Sequence, residues 1–597
     1  MSMVRIARSI FISAIALFAL LASVLSLDPS NLPEDMTNLP KVVNTPLPSV
    51  IKQPVAEIDE RPFQDNTELY GTDDPGSVVT IYLTVRKGNA DDRTNFTWAQ
   101  LNAPIQWFNE NPANNQSQKA EAIVQFGNEH GPLPGEVGYE TVVPNATIHV
   151  RGVSSSMQPQ PSYQIELNQA AGKWRGQSAI VLNKHINDPS RLRNKLNFDL
   201  LQGIPNMVSL RTQFVHLYVR DQTTVPEDMS FVDYGLYTQV ELPNQRYLKS
   251  HLLDSNGQLY KANLFDFERY PDQIRLADDP LFDEQAFSSR LEIKGNRNNS
   301  KLIQMLDTLN DPEIPIETTF EKYFDAENYF TWLAYNILVG NVNTVNQNFY
   351  LYSPQNGIKF YFIPWDYDDS LFRLSRESCC GYRSYDSYQY GVANYWGSRL
   401  ANRVLRVPEY RQMLDDKVSE VHALLTPEKI EGLLAQYQPT VEQYALQMPD
   451  LQYFPTTKQG MQQDLQSISG EVQNNYRLYL ESMQSPMPFH LGTIEASGNG
   501  LTFTWDHSYD FLDPQITYHF TLARDPALDE IVSDQTLVNS TSAQVGQLEP
   551  GAYFWRVTAT NKAGNSQFPF EFLFDSEGVV IPGLKRFYIT SDGTLHQ

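Results

Sequence analysis

Residues 341 to 369 hold the side chains of this chain best suited to chemistry. Asn341, Asn343, Asn346 and Asn348 crowd a polar loop, and Asp366, Asp368 and Asp369 follow shortly after. Amide and carboxylate oxygens are the ligands Mg²⁺ prefers, and the phosphates of a nucleotide need such a cation to neutralise them. The same residues also have plainer readings. Asn is common in turns because it tolerates left-handed backbone angles, and a small acidic cluster can be a solvated turn or a Ca²⁺ loop.

Regular elements must bring these groups together. Asp325 is placed to cap a helix in which Phe330, Leu333, Ala334 and Ile337 recur at helical spacing, with a stop near Gly340. After the polar loop, Phe349–Tyr352 and Lys359–Ile363 flank the turn signal Pro354-Gln-Asn-Gly357, which predicts a β-hairpin. The hairpin ends in Pro364-Trp365-Asp366, with Trp365 read as core. A catalytic loop, a hairpin and a metal-binding Asp follow one another in the same order in protein kinases. In the kinase loop a base precedes a metal-binding Asn by five positions, the spacing of Asn343 and Asn348.

Further strings carry a resemblance to a known family. RGVSSSMQPQPSYQIELN from Arg151, SAIVLNKHINDPSRLRNKLNFDLL from Ser178, YGLYTQVE from Tyr234, LYKAN from Leu259 and the NFYLY to FIPWDYD hairpin stand in that order. Together they resemble the spore-coat protein H (CotH) kinase-like family over about residues 145 to 415. The resemblance implies an atypical kinase fold that transfers phosphate from ATP, with Mg²⁺ or Mn²⁺, to protein hydroxyls. Carried over by position, Asp366 and Asn348 are the implied metal ligands, with Asp368 beside them. Glu241 is the implied partner of a phosphate-binding lysine, for which Lys184, Lys195 and Lys261 are candidates. Arg151 would contact phosphate or cap a turn, and the family's basic residue before Ser-Tyr is replaced by Gln160-Pro161.

One departure bears on activity. Asn343 stands where family members carry the catalytic Asp, and an amide cannot take a proton from a substrate hydroxyl. Loss of a general base costs about 10²- to 10⁴-fold, whereas positioning and electrostatics survive it. Asp368 or Asp369 could compensate, or the chain could bind nucleotide without turnover.

The rest of the sequence sets the context. Arg5 and Arg8 precede an apolar run from Ile10 to Leu27, the order of an export signal, either cleaved or kept as an anchor. Residues 28 to 76 are rich in Pro, Asn and Asp and read as a tether. An α+β domain is expected over 77–485, a two-lobed kinase-like unit with a helical C-terminal part. An all-β sandwich resembling a fibronectin type III module is expected over 486–575, on the alternation in LEPGAYFWRVTATNKAG and in Leu501–Trp505, with a tail over 576–597. A net charge of −25 argues against nucleic acid as a partner, since that needs clustered Lys and Arg. The two cysteines, Cys379 and Cys380, are adjacent and cannot build a disulfide framework. His185, His216 and His251 read as surface or hydrogen-bonded residues, and no zinc site is expected.

Three functions follow as expectations. The first is an exported, CotH-like kinase acting on Ser or Thr of an extracytoplasmic protein. The second is a non-catalytic surface or matrix binding protein in which the type III module is a spacer. The third, a carbohydrate hydrolase or adhesin, lacks a convincing pair of catalytic carboxylates. Membrane contact is expected only through an uncleaved N-terminal segment.

Overall fold

The β-branched alternation of Val78–Arg86 forms strand β1, whose inward residues Ile81, Leu83 and Val85 are buried. It is joined by β2 (Ala120–Asn128), β3 (Gly131–Pro132), β4 (Ala146–Arg151), β5 (Ser162–Leu167), β6 (Ala179–Asn183), β7 (Thr212–Asp221) and β8 (Val232–Val240). The strand order is β1-β7-β8-β6-β5-β4-β2-β3, and β1 also pairs with β2. That extra pairing closes seven strands into a barrel, which leaves no free edge among them. Only β1–β7 is parallel. Ile81, Val124, Ile148, Ile165, Leu182, Leu217 and their neighbours fill the interior as one cluster.

The computed structural model describes residues 63–103, 118–152, 154–225, 229–374, 387–498, 500–575 and 580–597. The N-terminal apolar run, most of the tether and Cys379-Cys380 lie outside the described residues. Among the described residues no helix is long and apolar enough to cross a membrane.

A second sheet, in the order β10-β9-β11-β12, is built from β9 (Gln258–Ala262), β10 (Leu291–Ile293), β11 (Phe349–Ser353) and β12 (Tyr361–Pro364). The last two are the expected hairpin. Of the helices α1 (Arg193–Leu201), α2 (Ala326–Leu338), α3 (Pro408–Leu424), α4 (Pro427–Ala445) and α5 (Lys458–Ser482), α2 packs on β12, α3 and α5 pack on α2, and α1 and α4 lie against barrel strands β7 and β8. Asp325 caps α2 as expected, its side chain accepting from Asn328 N–H. Every residue of α2 from Asn328 to Leu338 is buried, so its polar members must find partners inside. The Asn328 amide does so on β12, donating to Phe362 O at 3.2 Å and accepting from Phe362 N at 2.6 Å. The helix and the hairpin that flank the polar loop are thereby clamped together.

The chain beyond α5 is all β. Strands β13 (Leu491–Ser497), β14 (Gly500–Trp505), β15 (Thr517–Ala523), β16 (Ile531–Val538), β17 (Ser542–Gly546) and β18 (Gly551–Thr560) form two antiparallel sheets. Phe503, Trp505, Tyr553, Trp555 and Val557 face one shared core. Leu584–Ile589, expected as tail, pairs with β18, since its Leu584, Phe587 and Ile589 are buried.

The segment read as tether is packed from Phe63 onward. Phe63 stacks on Tyr361 at 4.6 Å, and Asp65 receives His251 Nδ1 at 2.6 Å and Ser209 N–H at 3.0 Å. His251 Nε2 meets Glu241 at 3.0 Å. A buried imidazole thus lies between two carboxylates, with Tyr70 bonded to Asp65 and the Tyr247 ring 4.2 Å away. Burial alone would depress its pKa, but the hydrogen bonds to Asp65 and Glu241 prevail and raise it to about 9. A raised folded pKa stabilises fully below the unfolded value near 6.5 and loses its effect as pH climbs through about 9. Replacing His251 by Phe is therefore expected to cost about 3–5 kcal/mol at pH 6, because two buried carboxylates lose their cation. In urea titrations the gap to wild type should narrow between pH 6.5 and about 9; a gap that widens there would refute the charged clamp.

Candidate functional site

Antiparallel register sets one row of side chains across the second sheet. Glu292 of β10 lies opposite Lys261 of β9, and Lys261 lies opposite Tyr350 of β11. Directly opposed residues share a face of the sheet, so carboxylate, ammonium and phenol stand side by side. Lys261 Nζ lies 3.3 Å from Glu292 Oε1, and Lys294 Nζ lies 2.6 Å from Glu292 Oε2. Burial would raise the Glu292 carboxyl, but Lys261 and Lys294 hold it down to about 2. Lys261 is itself lowered, by burial and by the neighbouring Arg151 and Lys294 charges against the pull of Glu292.

The end of barrel strand β4 faces this row. Arg151 places its guanidinium 5.6 Å above the Trp365 ring, and the Tyr350 ring meets Trp365 edge-on at 5.5 Å. Burial lowers the Arg151 pKa against the attraction of Tyr350, Asp366 and Glu292. Tyr350 is fully buried, and its hydroxyl has no hydrogen-bond partner. A buried polar atom left unpaired costs free energy.

Asp366 follows the hairpin. Phe349 pairs with Pro364, which sets Asn348 and the 365–366 step at the same open end. Asn348 and Asp366 both adopt left-handed backbone, at φ 61° and 60°, a conformation that Asn and Asp tolerate best among residues with a Cβ. Burial first, then the Asp368 charge, pushes the Asp366 carboxyl up to about 7, against the pull of His185, Lys261 and Arg151. His185 Nδ1 lies 3.5 Å from Asp368 Oδ2, with the Asp368 side chain 46% exposed. In the polar loop, Asn341 donates to Asp366 O at 3.2 Å and Asn343 donates to Asp369 Oδ2 at 3.4 Å.

The structure separates the three candidate lysines. Lys184 is buried in an ion pair with Asp450 at 2.9 Å and also donates to Tyr234 O at 2.5 Å. Burial, only partly offset by Asp450, brings it down to about 8. Lys195 bonds Asp199 and Thr212 at 3.0 and 3.1 Å. Lys261 alone of the three sits beside Arg151 and Asp366. Glu241, expected to orient a lysine, meets His251, Gln177 and Arg211 N–H instead. The carboxylate beside Lys261 is Glu292, a cross-strand neighbour thirty-one positions away that local sequence patterns do not signal.

Also missed was the work of α1. Asn194 accepts from Tyr367 N–H at 3.1 Å, Asn197 donates to Ser370 Oγ at 2.8 Å, and Arg193 Nε donates to Leu371 O at 3.1 Å. The RNKLN string thus holds the acidic turn from behind.

The residues suit a small hard cation. Asp366 and Asp368 repel each other, and the Asn348 amide stands at the same open end of the hairpin. Mg²⁺ typically takes one or two carboxylates and keeps several waters. Among the described residues no three His, Cys, Asp or Glu side chains gather into a metal cluster, so a site here would be of that sparse kind.

This is a mixed α and β protein in which a sheet-rich N-terminal part brings the partly buried Arg151 towards a hairpin-borne acidic turn. A family model described as CotH kinase protein matches residues 148–479, and the chain belongs to the CotH kinase family. It is similar to the Inner spore coat protein H of Bacillus subtilis (strain 168), 26% identical over 220 residues, which cover 35% of this chain and 53% of that protein. The chain therefore spans about half the length of that curated relative.

The electrostatics of Asp366 are open to measurement. With its pKa raised from 3.8 to about 7, the folded state carries a penalty that is absent below pH 3.8 and complete above pH 7. In chelator, Asp366→Asn is expected to raise the melting temperature at pH 8, with the gain shrinking as pH falls towards 4. A variant less stable than wild type at pH 8 would contradict this.

Proposed function

We propose that this chain is a phosphotransferase that takes the terminal phosphate of ATP to Ser or Thr of an extracytoplasmic protein. The observation that carries the reading is the row Glu292–Lys261–Tyr350, whose unpaired phenol faces Arg151 and Asp366. Two cations and a hydroxyl without a partner suit phosphate oxygens, and the acidic turn beside them suits the cation that phosphates require. Lys261, held by Glu292, and Arg151 would bind and orient the phosphates. Asp366 and Asn348, with Asp368, would hold Mg²⁺ or Mn²⁺, which supplies charge neutralisation when bound. A two-lobed arrangement, with the barrel as one lobe and the helical part over the second sheet as the other, fits this assignment and the family's kinase description. The domain division at about residues 77, 485 and 575 is part of the same proposal. The relative's name, a spore-coat protein, supports work outside the cytoplasm, in agreement with the N-terminal apolar run.

Asn343 favours a second reading, a nucleotide-binding member of the family without turnover. Its amide donates to Asp369, and an amide accepts no proton from a substrate hydroxyl.

One set of assays decides between them. The purified chain is incubated with labelled ATP, Mg²⁺ or Mn²⁺ and a Ser-rich acceptor, beside Lys261→Met, Asp366→Ala and Asn343→Asp. Transfer by wild type and its loss in Lys261→Met and Asp366→Ala is the expected result. If the missing base limits the rate, Asn343→Asp raises labelling by about 10²- to 10⁴-fold. A melting shift with Mg-ATP but no labelling by any form establishes the binder; neither shift nor labelling sinks both readings.

A further inference from the structure

A module that merely spaces its neighbour sits on an exposed, polar linker, and modules in one chain move against each other unless their interface is extensive and apolar. The C-terminal sandwich fits neither description. Between α5 and β13 the chain passes through Pro486, Met487, Pro488 and Phe489, all buried, and each proline fixes its own φ. Gln484 O receives both Asn561 Nδ2 at 2.9 Å and Asn565 Nδ2 at 2.8 Å, and Met487 N donates to Tyr509 O at 2.7 Å.

The apolar side of this interface centres on Trp396, only 5% exposed. Its ring stacks on Tyr509 at 5.4 Å and meets Phe511 edge-on at 5.7 Å. The Arg406 guanidinium covers both Trp396 and Tyr509, at 5.2 and 4.5 Å, and Arg411 covers Phe511 at 4.8 Å. Such contacts add about 0.5–2 kcal/mol each to the area they bury.

The residue before Trp396 reaches the polar loop. Tyr395, buried, donates to Asn341 O at 3.1 Å and lies 3.1 Å from Thr344 Oγ1. Asn394 Nδ2 lies 3.5 Å from Val342 O. Asn341 in turn donates to Asp366 O. Two adjacent residues therefore join the sandwich to the loop that carries Asn343 and Asn348.

We propose that the C-terminal sandwich is a positioning element of the 341–348 loop, acting through Trp396 and Tyr395; its effect on phosphate transfer rests on the phosphotransferase reading. The sandwich fixes Trp396, Trp396 fixes the backbone of Tyr395, and the phenol fixes the loop. Spatial continuity alone does not establish coupling, so the test reads the loop itself.

Hydrogen exchange of the full chain is compared among wild type, Tyr509→Ala with Phe511→Ala, Tyr395→Phe and Trp396→Phe. The double variant and Tyr395→Phe are each expected to speed exchange of the 341–348 amides by about tenfold, the effect of losing one or two net hydrogen bonds. Barrel strands β1 to β8 should stay unchanged, and Trp396→Phe, which keeps an apolar ring, should change the loop less. In the transfer assay Tyr395→Phe should lower kcat and leave the KM for ATP, because Arg151 and Lys261 do not bond Tyr395. Unchanged loop exchange in Tyr395→Phe, or in a folded double variant, overturns the proposal. If the double variant fails to fold, Tyr395→Phe, which removes one oxygen, decides alone. A chain that labels nothing removes the phosphotransferase reading and leaves the exchange result to decide this one.

Discussion

The buried Arg193 guanidinium is the interaction on which the acidic turn depends. It meets Asp188 at 2.5 Å and Asp464 at 2.6 Å and donates to Leu371 O. Three segments distant in sequence, the turn before α1, helix α5 and the end of the acidic turn, converge on one cation. Isolated, that charge could not be buried; with two carboxylates and a carbonyl it can, and burial is outweighed so that its pKa rises. Removing any partner would leave a charge uncompensated in the interior, so the three segments hold their places together. The aromatic Phe372 lies 4.4 Å from the guanidinium and closes the shell.

That rigidity lets the site keep charges that oppose one another. Asp366 is pressed towards neutrality by burial and by Asp368, while burial lowers Lys261 and Arg151. Left to relax, such a cluster would rotate apart. It stays because α1 fixes the turn through Asn194 and Asn197, and because cross-strand register fixes Lys261 beside Glu292. Asp366 and Asn348 hold left-handed backbone there, at a cost that Asn and Asp bear more easily than other residues with a Cβ.

Much of this frame was legible in the sequence. Helix α2 and the β11–β12 hairpin declare themselves through local period, cap and turn, and the sandwich strands through alternation. What escaped is set by pairing between distant segments. The barrel closes through β1–β2 and a parallel β1–β7 contact, which no local pattern encodes. Lys184, Lys195 and Lys261 each lie in a motif of similar weight, and only their partners, Asp450, Asp199 and Glu292, tell them apart. Helix α1 is polar in sequence, yet Arg193, Asn194, Lys195 and Asn197 are all buried. Its polarity serves interior hydrogen bonds, a use that composition cannot distinguish from solvation.

Asn343 gains a physical context from the same contacts. Its Nδ2 donates to Asp369 Oδ2, so the pair is matched as amide and carboxylate. An aspartate at 343 would set its carboxylate against that of Asp369, and without a cation the repulsion would fall on a loop pinned by Asn341 and Tyr395. The amide therefore avoids a charge conflict that a fully acidic site would relieve only when a cation is bound. Held to the carboxylate of Asp369, the amide at 343 suits the loop as it stands without a cation.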